Sequence, residues 1–131
     1  MTSKEQVLAA AAKIVSDFGS HNKQDYFSGF SEAATFIFYT HPVRLASRSE
    51  YEKLWDSWES DDGFRVHSCR SSNQDVQMLG EDSAVFTHEV ETVVELTGES
   101  STVFEKETIV FEKKSGGWIA VHEHLSPSSG N

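Results

Sequence analysis

Cysteine is almost missing from this 131-residue chain: Cys69 stands alone, so no internal disulfide and no thiolate zinc site can form. That scarcity favours a reducing compartment, most simply the cytoplasm. A lone cysteine in a strand reads as a small buried apolar side chain before it reads as a nucleophile. Proline occurs twice, and no repeat, linker or low-complexity stretch interrupts the sequence beyond a small tail at 127–131. No apolar run approaches the ~20 residues that span a bilayer. The opening Met1-Thr2-Ser3-Lys4-Glu5-Gln6 lacks the pattern of a signal peptide, so no membrane partner is expected. Basic side chains are also few, 11 against 21 acidic ones, for a formal net charge of -10. With no Lys/Arg cluster to offset it, such a surface repels phosphate backbones, which argues against nucleic-acid binding.

What remains is the composition of an ordinary globular domain, 37% hydrophobic and 24% charged, read here as one domain over 1–131. Val7, Leu8, Ala11, Ile14, Val15 and Phe18 recur at helical spacing and share one face. Ser3 with Gln6 offers a capping box at the start of that helix, and Gly19 a stop. A short second helix follows, capped by Asn22 and burying Tyr26, Phe27 and Phe30. A third starts near Ser47 or Ser49, carries Tyr51, Leu54, Trp55 and Trp58 as its stripe, and closes at Asp61-Asp62-Gly63.

Strands fill the rest. Residues 33–40 alternate Phe36 and Phe38 against Ile37 and Tyr39, apolar on both sides, so this strand needs cover on both faces; His41-Pro42 ends it. From Phe64 the period changes to two, with strands at 64–72, 76–79, 84–96, 102–113 and 118–125. Gly80-Glu81-Asp82, Thr97-Gly98-Glu99 and Ser115-Gly116-Gly117 supply turns. Helices first and an antiparallel meander afterwards define an α+β class, with three N-terminal helices packed on one face of a curved sheet.

The closing segment Trp118-Ile119-Ala120-Val121-His122-Glu123-His124-Leu125-Ser126-Pro127, preceded by a Gly-Gly turn, resembles the last strand of SnoaL-like domains of the nuclear transport factor 2-like superfamily. It is also similar to the association (hub) domain of calcium/calmodulin-dependent kinase II, whose pattern is met at Trp118, Val121, His122, His124 and Ser126. Gly80-Glu81-Asp82-Ser83-Ala84 and Ala33-Thr35-Phe36 fit the same family. The resemblance implies a cone-shaped α+β barrel with a pocket between sheet and helices, in a homodimer that packs sheets together. His67 follows Val66 as a pocket histidine does in the hub domain, but the hub's pocket arginines fall at Val90 and Ile109 here, which removes the anchor for a carboxylate ligand. Ketosteroid isomerase shares the fold class; its general base falls on Phe38 or His41 and its oxyanion tyrosine on Ile14, so that constellation is absent.

Fold does not assign function, and six histidines are the candidates of most interest. His21 lies in an inter-helix turn and is read as solvated; His41 is read as a surface turn. His122-x-His124 puts two imidazoles on one strand face, the spacing of a metal pair, with His88 or Glu107 as a third ligand on a neighbouring strand. No further ligand motif accompanies them, and a hydrogen-bonded pair is the plainer reading, so no metal or other cofactor is expected. The set Phe86, His88, Val90, Thr92, Val94 and Leu96 faces inward, which makes His88 a polar group in an apolar wall, a ligand contact or a satisfied core histidine. Tyr39 and Trp55 are candidate pocket walls, although tryptophans at helical spacing also read as core. Glu105 and Glu107 share a strand face, and pairing with Lys106 or Lys113 accounts for them without chemistry. Ser126 has no base and acid around it for hydrolysis. Two functions follow. One is a binding domain for a small, largely apolar molecule held by Tyr39, Trp55, His67, His88, Glu107 and His124, extending to histidine acid–base chemistry of the isomerase, cyclase or dehydratase type. The other is a non-catalytic homo-oligomerisation module.

Overall fold

The computed structural model describes residues 1–129; the final two positions of the tail at 127–131 lie outside the described residues. The order is α1 (Ser3–Gly19), α2 (Lys23–Ser28), β1 (Phe30–Phe38), α3 (Arg48–Asp62), β2 (Arg65–Leu79), β3 (Ser83–Leu96), β4 (Glu99–Lys114) and β5 (Gly117–Pro127). The five strands form one sheet in the order β1-β5-β4-β3-β2. It is mixed rather than wholly antiparallel, because β1 lies parallel to β5 at one edge. β2 forms the other edge, so the sheet is curved and unclosed. The α3 segment makes the crossover between those two edges.

Local chemistry sets the ends of the helices. The capping box of α1 is Thr2 with Glu5, one residue earlier than Ser3 with Gln6. Gln6 is used elsewhere, accepting from the indole Nε1 of Trp118 at 3.1 Å and tying α1 to β5. Asn22 caps α2, Ser47 caps α3, and Gly63 ends α3 in the left-handed region at φ 62°. Gly19 acts less as a stop than as a gap: a Cβ there would sit 2.9 Å from the backbone N of Cys69, so its bareness lets α1 lie against β2. Thr97 and Gly98, at φ 52° and 82°, make the two-residue turn with positive φ at both centres that matches strand twist.

Two expected strands, 64–72 and 76–79, are one strand, β2, with a register shift between Ser72 and Asp75 and Asn73 at φ 51°. β1 begins at Phe30 and ends at Phe38, before Tyr39. His21 is no solvated turn residue. Its Nδ1 accepts from the Val66 amide at 2.9 Å, its Nε2 lies 2.7 Å from Glu59 Oε2, and its ring packs on Trp55 and Phe64. At φ 56° it joins the helical layer to β2.

The inner face of the sheet is filled at one end only. Ala84, Phe111, Ala120 and Phe30 occupy successive paired positions across β3, β4, β5 and β1, all fully buried against α1. The next row carries Phe86, Ile109 and Glu123 beside Phe36, and the row after it His88, Glu107 and Leu125 beside Phe38. Each large apolar side chain sealed here contributes about 2 kcal/mol. Beyond the third row the aromatic packing opens.

Candidate functional site

The opening leads into a cavity of about 400 Å³ between the sheet and the helices. Its walls are apolar and aromatic: Ile14, Val15 and Phe18 from α1, Tyr26 from α2, Tyr51 and Trp58 from α3, Val90, Thr92, Val94 and Leu96 from β3, and Val103 from β4. Phe38, Tyr39 and Thr40 close the β1 side, and Cys69 the β2 side. Polar chemistry is concentrated in Glu105, Glu107 and Glu123, with Asp62 also lining the cavity.

Glu123 enters the cavity because of a bulge. Ala120 pairs with Phe111 and His122 with Val110, leaving Val121 as an extra residue in β5. The inward parity of Ala120 therefore passes to Glu123 rather than to His122 and His124. Glu123 is 4% exposed, its Oε1 has no hydrogen-bond partner among the described residues, and its carboxyl is hydrogen-bonded to Glu107. On the far side of Glu107, His88 Nε2 lies 2.6 Å from Oε1, while His88 Nδ1 lies 2.6 Å from Ser71 Oγ, which accepts in turn from Gln74 Nε2 at 2.9 Å. With Ser71 donating to Nδ1, the Nε2–H tautomer donates to Glu107 and the chain is satisfied end to end.

Two carboxyl groups in contact in an apolar floor do not both ionise. Burial, then the charge and hydrogen bond of Glu107, push Glu123 well above the usual carboxylate range. For Glu107 the same burial acts upward, but the hydrogen bonds from Glu123 and His88 outweigh it and hold it below its ordinary value. The pair thus holds one proton, carried by Glu123, in a coupled titration. Glu105 is raised by burial, against the phenol of Tyr39 that donates to its Oε2 at 2.7 Å. Tyr26 and Tyr51, joined hydroxyl to hydroxyl at 2.9 Å, are pushed well above the usual phenol range by burial and then by the neighbouring acid Glu123. Burial pushes the Cys69 thiol up to about 11, so it remains an uncharged apolar lining group.

The six sequence candidates separate. Tyr39 and Glu107 line the cavity. Tyr39 does so because β1 ends before it, which frees it from the Ile37 side and turns it to Glu105. His88 is buried directly behind Glu107, outside the lining. Trp55 belongs to the core, fully buried among Phe18, Tyr26, Phe27 and Phe64; its stripe partner Trp58 reaches the cavity instead. His67 falls at a register shift between Val66 and Ser68 and is exposed, paired with Glu95 at 2.9 Å. His124 is exposed on the outer face of the sheet, beside His122, whose Nδ1 lies 2.8 Å from Thr35 Oγ1. His122 and His124 thus lie on the opposite face from His88 and Glu107 and do not share an ion with them. Among the described residues no group of three His, Cys, Asp or Glu is arranged around a common metal position. Glu105 and Glu107 face the cavity instead of pairing with Lys106 or Lys113. Sequence reasoning missed Glu123, Tyr26 and Tyr51; the bulge at Val121 that sets Glu123 opposite the inward Phe36 leaves no mark in the sequence.

Helices over an unclosed curved sheet, with a cavity at its open end, define the nuclear transport factor 2-like class with a cystatin-like fold. Solved structures agree. An NTF2-like protein from Cytophaga hutchinsonii superposes with a TM-score of 0.82 at 11% identity, over 98% of this chain and 100% of that one. A putative calcium/calmodulin dependent protein kinase II association domain from Xanthomonas campestris gives 0.80 at 18% identity, over 100% and 91%. The CamKII hub homology domain of Chlamydomonas reinhardtii gives 0.74 at 24% identity, over 98% and 100%. No curated protein matches the chain significantly. Within that class, residues 19–129 match the calcium/calmodulin dependent protein kinase II association domain family, and the chain belongs to it.

Proposed function

We propose that this domain binds a small, largely apolar molecule in the cavity between sheet and helices. One observation carries the reading: about 400 Å³ of space with aromatic and aliphatic walls ends on a buried carboxyl pair, one oxygen of which has no partner among the described residues. Convergence of a few polar groups in an apolar cleft is the usual build of a ligand site. The acid–base chemistry at the floor is that of a carboxylic acid beside a carboxylate, with His88 positioning Glu107 from behind. Histidine chemistry by His67 or His124 has no access to this space. A neutral dye such as N-phenyl-1-naphthylamine, whose fluorescence rises in apolar surroundings, tests the reading. Saturable binding to the native protein is expected, and its loss in Val94→Trp, which fills the cavity. Equal binding to that variant would place the dye elsewhere and remove the support.

A second reading, homodimer formation through the sheet, has its own observation. On the outer face, Thr35, His122, Val110 and Val85 form one row across the strands, and Ile37, His124, Thr108 and Thr87 the next. None of these eight is a lysine, arginine or carboxylate, in a chain of net charge -10, and on β2 the two rows end in Gln77 and Asp75. Burial, then His124, holds His122 below the ordinary histidine range, which suits a surface that keeps this imidazole neutral. Both functions fit one chain, since cavity and outer face lie on opposite sides of the sheet.

A further inference from the structure

We propose that the cavity selects an organic cation, an amine carried on an apolar body, over neutral or anionic molecules of the same shape. This rests on the reading that a small apolar molecule occupies the cavity, and it assigns that molecule's charge. Lining residues include Glu105, Glu107, Glu123 and Asp62, and no lysine, arginine or histidine among the described residues. An acidic lining alone selects nothing, because exposed carboxylates are well solvated. Glu123 differs: it is 4% exposed, lies in the cavity floor, and its Oε1 accepts no hydrogen bond from any described residue. The carboxyl group as a whole lines the cavity floor, so a molecule there meets a buried polar group whose hydrogen bonding within the described residues is incomplete.

The walls favour the same ligand. Tyr26, Tyr51, Trp58 and Phe38 surround the approach to the carboxyl pair, and ring faces attract a cation most strongly where water is excluded. An ammonium group brings up to three donors and a positive charge to a floor that already holds a negative one. An alcohol supplies one donor and no charge, and a carboxylate meets repulsion. His88 does not supply the missing cation to the ligand, because it lies behind Glu107 with its Nε2 turned to Oε1 at 2.6 Å. The remaining ionisable groups facing the pair are Glu105 on the same strand, Cys69 on β2, Tyr26 on α2 and Tyr51 on α3. They are acids or uncharged, and each is raised by burial.

Three probes on one adamantane body separate these cases by calorimetric titration at about pH 7 and low salt: the methylamine, the methanol and the carboxylate. The amine is expected to bind at least about tenfold tighter than the alcohol, equivalent to about 1.4 kcal/mol, with the carboxylate weakest. In the Glu107→Gln/Glu123→Gln double variant the amine-to-alcohol affinity ratio should fall close to one. The wild-type ratio needs no variant to fold, so the proposal is exposed to failure on native protein alone. Equal amine and alcohol affinities would overturn the charge selection while leaving a cavity that binds apolar molecules. An amine preference that survives the double substitution would overturn the role of these carboxylates. Failure of all three probes, with the neutral dye also excluded, would overturn the cavity reading and this inference together.

Discussion

Replacing Glu123 with glutamine should stabilise the protein, and by an amount that grows with pH. The glutamine keeps the shape of the side chain and still offers a donor to Glu107, but it has no proton to lose. In the wild type, the native pair retains a proton that an unfolded Glu gives up above its ordinary value of 4.5, because Glu123 is raised in the fold. Above that pH the unfolded state binds fewer protons than the native state, so wild-type stability falls as pH rises. The slope is about 1.4 kcal/mol per pH unit for one retained proton, with no discount for solvent at a 4% exposed side chain. Glu107 has the opposite sign, its native value being lowered; its contribution is present above the unfolded value and is lost only as pH falls through the native one. It is therefore ionised in both states above about pH 5 and adds no slope there. All other groups are common to both proteins and cancel in the difference. Urea unfolding of wild type and Glu123→Gln at unit steps from about pH 5 to about pH 8 should give a gap that is small at the acid end. It should widen by about 1 kcal/mol or more over the first unit and level off where the native pair loses its proton. A constant gap across the range would mean that Glu123 ionises in the fold as readily as in the unfolded chain, and the shared-proton description of the floor would be wrong.

Two further substitutions test the frame around the cavity. Gly19→Ala gains helix propensity, yet its Cβ would lie 2.9 Å from the Cys69 amide N and 3.2 Å from the Cys69 Cβ. Crowding against backbone should win by about 1–2 kcal/mol net, read as a lowered urea midpoint; a raised midpoint would show that α1 can back away from β2 at no cost. Ile37→Glu puts a carboxylate into the part of the outer face, on β1, β5, β4 and β3, where these two rows carry no charge, and sedimentation equilibrium should show a wild-type dimer shifted to monomer. A wild type that is monomeric at every concentration would remove the outer face as an interface.

Where strand and helix periods run unbroken, the sequence is a reliable guide to this fold. The Val7–Phe18 spacing, the caps at Asn22, Ser47 and Gly63, and the inward set from Phe86 to Thr92 on β3 all read directly, because β3 pairs with β4 without a register shift. The resemblance carried by Trp118, Val121, His122, His124 and Ser126 led to the right family. The site was harder, and the failures share a cause. One extra residue at Val121 exchanges faces for everything after it in β5, sending the two histidines out and Glu123 in. Another at His67 does the same locally in β2. Period-two alternation cannot reveal a bulge, since nothing in a single extra Val or His marks it as unpaired. Glu105 is hidden for a different reason: Lys106 and Lys113 offer it partners without chemistry, and only the face it shares with Ile109 and Phe111 turns it inward.

The acid pair also makes little sense as structure alone. Position 123 lies in the row of Phe86, Ile109 and Phe36, where an apolar side chain would add to the packing and spare the cost of a buried carboxyl. Glu123 instead keeps one oxygen unpaired and makes the native state less stable as pH rises above the ordinary carboxyl value, until the pair loses its proton. Buried ionisable groups of this kind are often less favourable than apolar replacements of the same volume, and local conflict with the fold tends to mark the places where a protein does its work. The neighbouring row supports the same view. His88, Ser71 and Gln74 form a satisfied chain whose effect is to hold Glu107 in one orientation, with its other side turned to Glu123 and the cavity. A framework that fixes one carboxylate from behind, protonates the next and leaves a buried acceptor unpaired at the cavity floor has the features of a preorganised binding floor. The aromatic walls set what can reach it.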